Sequence, residues 1–227
     1  MCANCSGPGA VADPGLMCAM LLAGRRLYDK GLIAGADGNL SLKVQGGVLV
    51  TPSGAHKGYL ECKHLSLVSA DGRHLKGGAP TTELPLHLAA LEARPEMNAV
   101  VHAHAPSCVA MSLARHPQLD GVIPEVTSAI GGFCVIPYET PGSVALAKTA
   151  AKALEKYDAV VMERHGTLAV GRTIEEACAR TESLEHAAHI LFMAHSLARP
   201  QKLPEKELRA LREVYERGRL SATGLPG

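Results

Sequence analysis

"TTELPLHLAALEARPEMNAVVHAHAP", residues 81–106, is where the sequence changes period and where the fold is decided. Its first half spaces apolar residues at helical intervals behind two threonines, and Pro85 stands in the first turn, where a helix makes no use of a backbone N–H. Its second half, 98–104, is a short apolar run that reads as a strand and ends in two histidines one residue apart. Successive side chains of a strand point to opposite faces, so His102 and His104 share a face, roughly 6.6 Å apart along the chain. One metal ion can bridge that gap.

Upstream, 15–31 has helical apolar spacing and closes on Gly31, the pattern of a helix with a C-terminal glycine cap. Residues 38–54 alternate apolar and polar around Gly46 and Gly47, and 64–78 repeat the pattern around Asp71 and Gly72, so two hairpins are expected. Downstream, the expected elements are a helix near 106–114, a strand at 133–137, a helix at 142–156 and a strand at 158–163. A turn at His165 and Gly166, a strand at 167–170 and a long helix near 173–197 follow. The last helix, near 204–216, is charged and expected to be largely solvated. Hairpins followed by strand–helix units imply an α/β fold with a mixed, mainly antiparallel sheet covered by helices, not a doubly wound parallel sheet. A single domain over 15–227 is expected behind a tail, 1–14, that reads as disordered.

Composition excludes several function classes. Lys and Arg number 23 against 22 Asp and Glu, giving a net charge of +1, and the basic residues are scattered, so nucleic acid gains no electrostatic footing. Aromatics are only 3% of residues and Trp is absent, which removes the stacking platforms of single-strand binders. The seven cysteines, at 2, 5, 18, 62, 108, 134 and 178, are odd in number and mostly lie in apolar segments, which suggests reduced thiols and a cytoplasmic setting. Cys2 and Cys5 form a C-x-x-C pair with no second pair downstream. The N-terminus lacks a basic n-region and the apolar run 16–24 is far too short to span a bilayer, so neither a signal peptide nor a membrane anchor is expected.

Most of the 11 histidines have a plain structural reading. His56, His64, His74 and His116 fall in loops or turns, and His87 lies on the helix after Thr82. His186 and His189 share a helix with Glu182 and Glu185, yet no matching motif exists on a second helix, as a carboxylate-bridged metal pair requires. His102 and His104 differ, and a catalytic metal site wants a third ligand and an open position. His165 is the candidate, because it ends the apolar strand "DAVVMER" just before Gly166. Three imidazoles suit zinc.

Three small-residue clusters precede the histidines: "DGNLS" at 37–41, "TPSG" at 51–54 and "TTE" at 81–83. Each offers hydroxyls, an amide or backbone N–H groups, which hold an anion such as phosphate without a basic patch. Taken in order, "GLIAGADGNLSL", "VLVTPSG", the 81–106 stretch, "IPYETPGS" and "RHGTLAVG" resemble the class II aldolase/adducin family over about residues 15–215. The resemblance implies a three-layer α/β/α sandwich that assembles as a homotetramer with active sites at subunit interfaces. It implies one Zn2+ per chain on His102, His104 and His165, and Glu83 as the acid/base that can also ligate the free metal. Asn39, Thr51, Gly54, Thr81 and Thr82 match the positions that hold the substrate phosphate.

The implied reaction is reversible cleavage of a ketose 1-phosphate, of the fuculose or 5-deoxyribulose type, to dihydroxyacetone phosphate and an aldehyde. Glu125, in "GVIPEVTSAIGG", stands where the aldolases carry a proton-donating tyrosine, and is assigned that catalytic role. The family's 5-methylthioribulose-1-phosphate dehydratase branch uses a glutamate in that neighbourhood as its base, so dehydration is the alternative. Tyr215 matches a C-terminal tyrosine of the aldolases only loosely. Adducin-like heads keep the fold as binding modules without the metal histidines; this sequence retains all three.

Overall fold

Period two governs the centre of the sheet. Along β5 (Ala99–Ala103) every residue is buried, with Val100 packing into one apolar layer and Ala99, Val101 and Ala103 into the opposite one. A strand buried on both faces needs helices on both sides. The computed structural model describes residue 5 and residues 10–114 and 121–222, and it has that three-layer arrangement; His116 lies outside the described residues. One layer holds α2 (Leu84–Ala93) and α5 (Val144–Leu154), whose Leu86, Ala90, Leu146 and Leu154 cover Val100, Val160 and Leu168. The other holds α1 (Pro14–Asp29), α3 (Pro106–Leu113), α4 (Pro124–Ile130) and α6 (Ile174–Leu197).

The remaining strands are β1 (Asn39–Val44), β2 (Gly47–Val50), β3 (Ser66–Val68), β4 (His74–Gly77), β6 (Cys134–Ile136), β7 (Ala159–Met162) and β8 (Gly166–Gly171). They run in the order β4-β3-β2-β1-β5-β8-β7-β6, all neighbours antiparallel except β6 with β7. The mixed, mainly antiparallel sheet therefore matches expectation, and so do both hairpins.

The short helix α4 is not among the expected elements, because seven residues opening on a proline and closing on Gly131 show too little period to detect. Two expectations are corrected. The last helix, α7 (Glu205–Ala222), is not simply solvated: Leu208 is buried and the Tyr215 ring packs against Gly131 at the end of α4. Cys5 and Cys62, with Cα atoms 5.3 Å apart, are joined by a disulfide, so these two are not the reduced thiols expected, and Cys5 is a buried point within the segment read as a disordered tail. A pairing across 57 residues leaves no trace in local spacing. Among the described residues no helix is long and apolar enough to cross a membrane.

Asp158 closes the sheet end where β5 and β7 begin. It is 1% exposed and pairs with both Arg94 and Arg180 at 2.7 Å, and Tyr215 donates its O–H to the same carboxylate. Replacing it leaves two buried guanidinium groups without their shared counter-charge. Asp158→Ala is expected to cost about 3 kcal/mol of stability, read from the urea midpoint. An unchanged midpoint would mean the two arginines find other partners.

Candidate active site

Register brings the site together. Asn39 on β1 is the cross-strand partner of His102 on β5, and Ser41 is the partner of Val100, so both polar side chains lie on the face that α2 covers. The strand ends just beyond His102, and the chain passes His104 before turning into α3 at Pro106. His165 arrives from the β7–β8 turn. That turn is tight: Arg164 sits at φ 62, a left-handed conformation seldom taken by a side-chain-bearing residue. Gly166 follows so close to β5 that a Cβ there would lie 2.3 Å from the Ala103 carbonyl oxygen. Only glycine allows this approach, which presses His165 against the end of β5.

One ligand nitrogen from each of His102, His104 and His165 lies within 4.8 Å of the other two. His102 Nδ1 lies 2.9 Å from the Thr167 carbonyl oxygen, which can only accept, so Nδ1 carries the proton and Nε2 presents a lone pair. His104 Nε2 faces that atom at 3.1 Å, while its Nδ1 is 3.5 Å from Asp37 Oδ2. Orientation of one ring nitrogen by a carbonyl or carboxylate, freeing the other, is how metal-binding histidines are held. Glu83 Oε2 lies 3.2 Å from His102 Nε2, and Oε1 lies 3.5 Å from His165 Nε2. Glu83 Oε1 and His165 Nδ1 are both buried without a hydrogen-bond partner. Converging imidazole lone pairs beside an unsatisfied carboxylate oxygen fit a divalent cation.

Electrostatics keep these donors ready. Burial, followed by the charge of His102, lowers the His165 pKa to about 4, and the same two causes lower that of His104. Burial alone would raise the Glu83 carboxyl, but the His102 imidazole, the Asn39 amide and the His165 imidazole beside it together outweigh burial, holding it well below the usual carboxylate range. Near neutral pH the site offers neutral imidazoles at His104 and His165 and an ionised carboxylate at Glu83.

Next to the histidines is a cavity of about 330 Å³. Asn39, Gly54, Thr81, Thr82, Glu83, His104 and His165 line it, so most of the expected anion-holding positions and part of the histidine set meet around one space. Three expected residues do not: Thr51, Glu125 and His102, whose ring is fully buried beside Glu83. The Thr51 side chain is fully buried and its hydroxyl accepts the Leu40 N–H at 3.1 Å, so it is committed to the fold and not offered to a ligand. Its carbonyl accepts the Thr81 N–H, tying the "TPSG" and "TTE" clusters together. Glu125 is exposed in the first turn of α4 and does not line the cavity.

Among the lining residues that sequence reading did not assign are Ser53 and Lys57, and it also missed one buried neighbour. Ser53, two residues beyond Thr51, supplies the wall hydroxyl from the same cluster. Lys57 is 3% exposed, donates from Nζ to the Ala36 carbonyl at 2.5 Å, and brings a cation to the wall; burial pulls its pKa down. No motif flagged it, because a lone lysine after a turn looks solvated. The neighbour is His87, completely buried behind Asn39. Glu182 and Glu185, also considered as metal ligands, are engaged elsewhere: Glu182 with Arg26 and Lys30, and Glu185 with the N–H groups of Ser107 and Cys108.

Burial lowers the His87 pKa to about 3, against an ordinary 6.5. A depressed histidine contributes stability above its unfolded pKa and loses it as pH falls, because the unfolded chain binds the extra proton first. His165 acts in the same direction. Removing the His87 imidazole, as in His87→Gln, is therefore expected to flatten the pH dependence of the metal-free protein. Between pH 7.5 and 5 wild type should lose about 2 kcal/mol more than the variant, measured by urea denaturation at each pH. Parallel curves would contradict a neutral buried His87.

The profile of the family described as Class II Aldolase and Adducin N-terminal domain matches residues 18–192. An L-fuculose phosphate aldolase of Methanococcus maripaludis is 32% identical over 173 residues, covering 76% of this chain and 94% of that one. A 3-oxo-tetronate 4-phosphate decarboxylase of Pectobacterium atrosepticum is 32% identical over 179 residues, covering 77% and 82%. A solved L-fuculose 1-phosphate aldolase superposes with a TM-score of 0.84 at 27% identity, over 90% of this chain and 98% of the other.

Proposed function

Because the chain belongs to the class II aldolase and adducin family and is a class II lyase, we propose that it uses one divalent metal ion to cleave a ketose 1-phosphate into dihydroxyacetone phosphate and an aldehyde. The observation that carries this reading is the meeting of three imidazoles and a buried glutamate at the wall of one polar cavity. His102, His104 and His165 would hold the ion, and zinc is the ion that three neutral imidazoles with an open position suit. When bound, it supplies a Lewis acid for the negative charge left on the donor half when C3–C4 breaks.

The chain's own residues do the rest. Asn39, Ser53, Thr81, Thr82 and the backbone at Gly54 take the phosphate, with the Lys57 ammonium as counter-charge. Thr51 supports them through its backbone bonds to Leu40 and Thr81. Glu83 carries the proton that the donor carbon gains on cleavage and loses on condensation. Glu125 is assigned the proton on the aldehyde oxygen, a role it can fill only from a neighbouring subunit, since in its own chain it stands outside the cavity. The exposed apolar side chains of Leu113, Phe192, Met193 and Leu197 support self-association, and a homotetramer is the proposed state. A cytoplasmic setting is proposed with it; counting titratable thiols in protein isolated under alkylation tests whether the Cys5–Cys62 bridge is formed there.

The decarboxylase names among the relatives favour a second reading. Losing carbon dioxide from a 3-oxo acid and splitting an aldol both break a C–C bond beside a carbonyl and leave the same type of charge, so one site chemistry serves either. Dehydration would need Glu125 as a base within the cavity, which likewise requires Glu125 to come from a neighbouring subunit. To test the first reading, turnover of a ketose 1-phosphate is compared with that of the unphosphorylated ketose, before and after a chelator. Preference for the phosphate and loss with the chelator are expected; equal turnover of both ketoses would overturn the phosphate assignment.

A further inference from the structure

His87 lies one helical turn after Glu83 on α2, is fully buried and does not line the cavity. Both its ring nitrogens are nevertheless engaged. Nδ1 is 2.7 Å from Ser41 Oγ and Nε2 is 2.5 Å from Asn39 Oδ1. Asn39 then donates from Nδ2 to Glu83 Oε2 at 2.9 Å. The four side chains form one line from inside the β1–α2 contact to the carboxylate at the cavity wall.

The line has a single polarity when Glu83 is ionised. A carboxylate oxygen only accepts, so Asn39 must turn its NH2 toward Glu83 and its carbonyl oxygen toward His87. That oxygen also only accepts, so the one proton of the neutral imidazole sits on Nε2, and Nδ1 accepts from the Ser41 hydroxyl. Placing the proton on Nδ1 instead would set two lone pairs face to face at Nε2 and Oδ1, or flip the Asn39 amide and aim its oxygen at the carboxylate. In a site shut off from water neither mismatch is relieved by solvent.

We infer that His87 is a positioning residue that, through its Nε2–H, locks the side-chain amide of Asn39 so that Nδ2 faces Glu83, and thereby holds the carboxylate in its working orientation. The inference rests on Glu83 being the proton carrier, as proposed above. Orienting partners of this kind are typically worth about 10- to 100-fold in activity when removed.

Two measurements test it, one of them without substrate. In the full-length wild-type chain labelled with 15N-histidine, the His87 resonances, assigned by comparison with His87→Gln, should show a protonated Nε2 and an unprotonated Nδ1; the opposite tautomer would overturn the inference. This readout stands even if the chain turns over no ketose phosphate, so it separates failure of the inference from failure of the proposed function. In activity, His87→Gln, whose amide can still donate to Asn39 Oδ1, should recover most of kcat, whereas His87→Leu should fall by about 10- to 100-fold. Equal losses in two folded variants would make His87 a packing residue and overturn the inference. Should His87→Leu fail to fold, the tautomer alone decides.

Discussion

Glu83→Gln is expected to leave the fold and metal content intact and to lower kcat by on the order of 10²- to 10⁴-fold. The substitution is nearly isosteric, and its amide oxygen can still accept from Asn39 Nδ2, which lies 2.9 Å from Glu83 Oε2 in the native chain. It cannot take up or release a proton. Glu83 is 8% exposed, so its neighbours, and not bulk water, set its behaviour. Structural damage would appear in metal stoichiometry and the urea midpoint; loss of a proton carrier would appear in kcat alone. A variant within about tenfold of wild type would fall short of what general acid–base catalysis contributes and would remove Glu83 from the mechanism.

His102→Ala is expected to empty the metal site. Its ring is fully buried, fixed by the Thr167 carbonyl and aimed at His104, so it has least freedom to be replaced by water or a neighbour. Removing a ligand should weaken the metal by more than the roughly 10- to 100-fold that follows loss of a ligand's orienting partner. Purified His102→Ala should carry almost no zinc by elemental analysis and show no turnover. Zinc at the wild-type level would transfer the site to other residues. His165→Ala should behave alike, since its imidazole is the one delivered by the strained turn at Arg164.

Period and spacing made the local parts of this molecule legible. The alternation in "NAVVHAHA" marked β5 and the same-face histidines, and Gly46-Gly47 and Asp71-Gly72 marked the two hairpins. Long-range pairing was beyond them: nothing local says that β5 lies between β1 and β8, yet that register sets Asn39 beside His102. His87 looked like an ordinary helical residue for the same reason, because its partners Ser41 and Asn39 come from a strand more than forty residues earlier. Within "TPSG" the cluster was legible but the directions of its hydroxyls were not. Backbone conformation turns Thr51 inward to Leu40 and leaves Ser53 on the cavity wall. Tyr215, loosely matched to a catalytic tyrosine, binds Asp158 at the end of the sheet where β5 and β7 begin, while the histidines stand where these strands finish.

The central claim, metal-assisted C–C cleavage of a phosphorylated ketose, is tested most directly by 31P NMR of the zinc-loaded protein with 5-deoxyribulose 1-phosphate. The account predicts that the substrate resonance gives way to that of dihydroxyacetone phosphate, with an equivalent of aldehyde, and that a chelator stops the conversion. Formation of a diketone phosphate with loss of water, or an unchanged ketose phosphate under conditions where 3-oxo-tetronate 4-phosphate loses carbon dioxide, would contradict it.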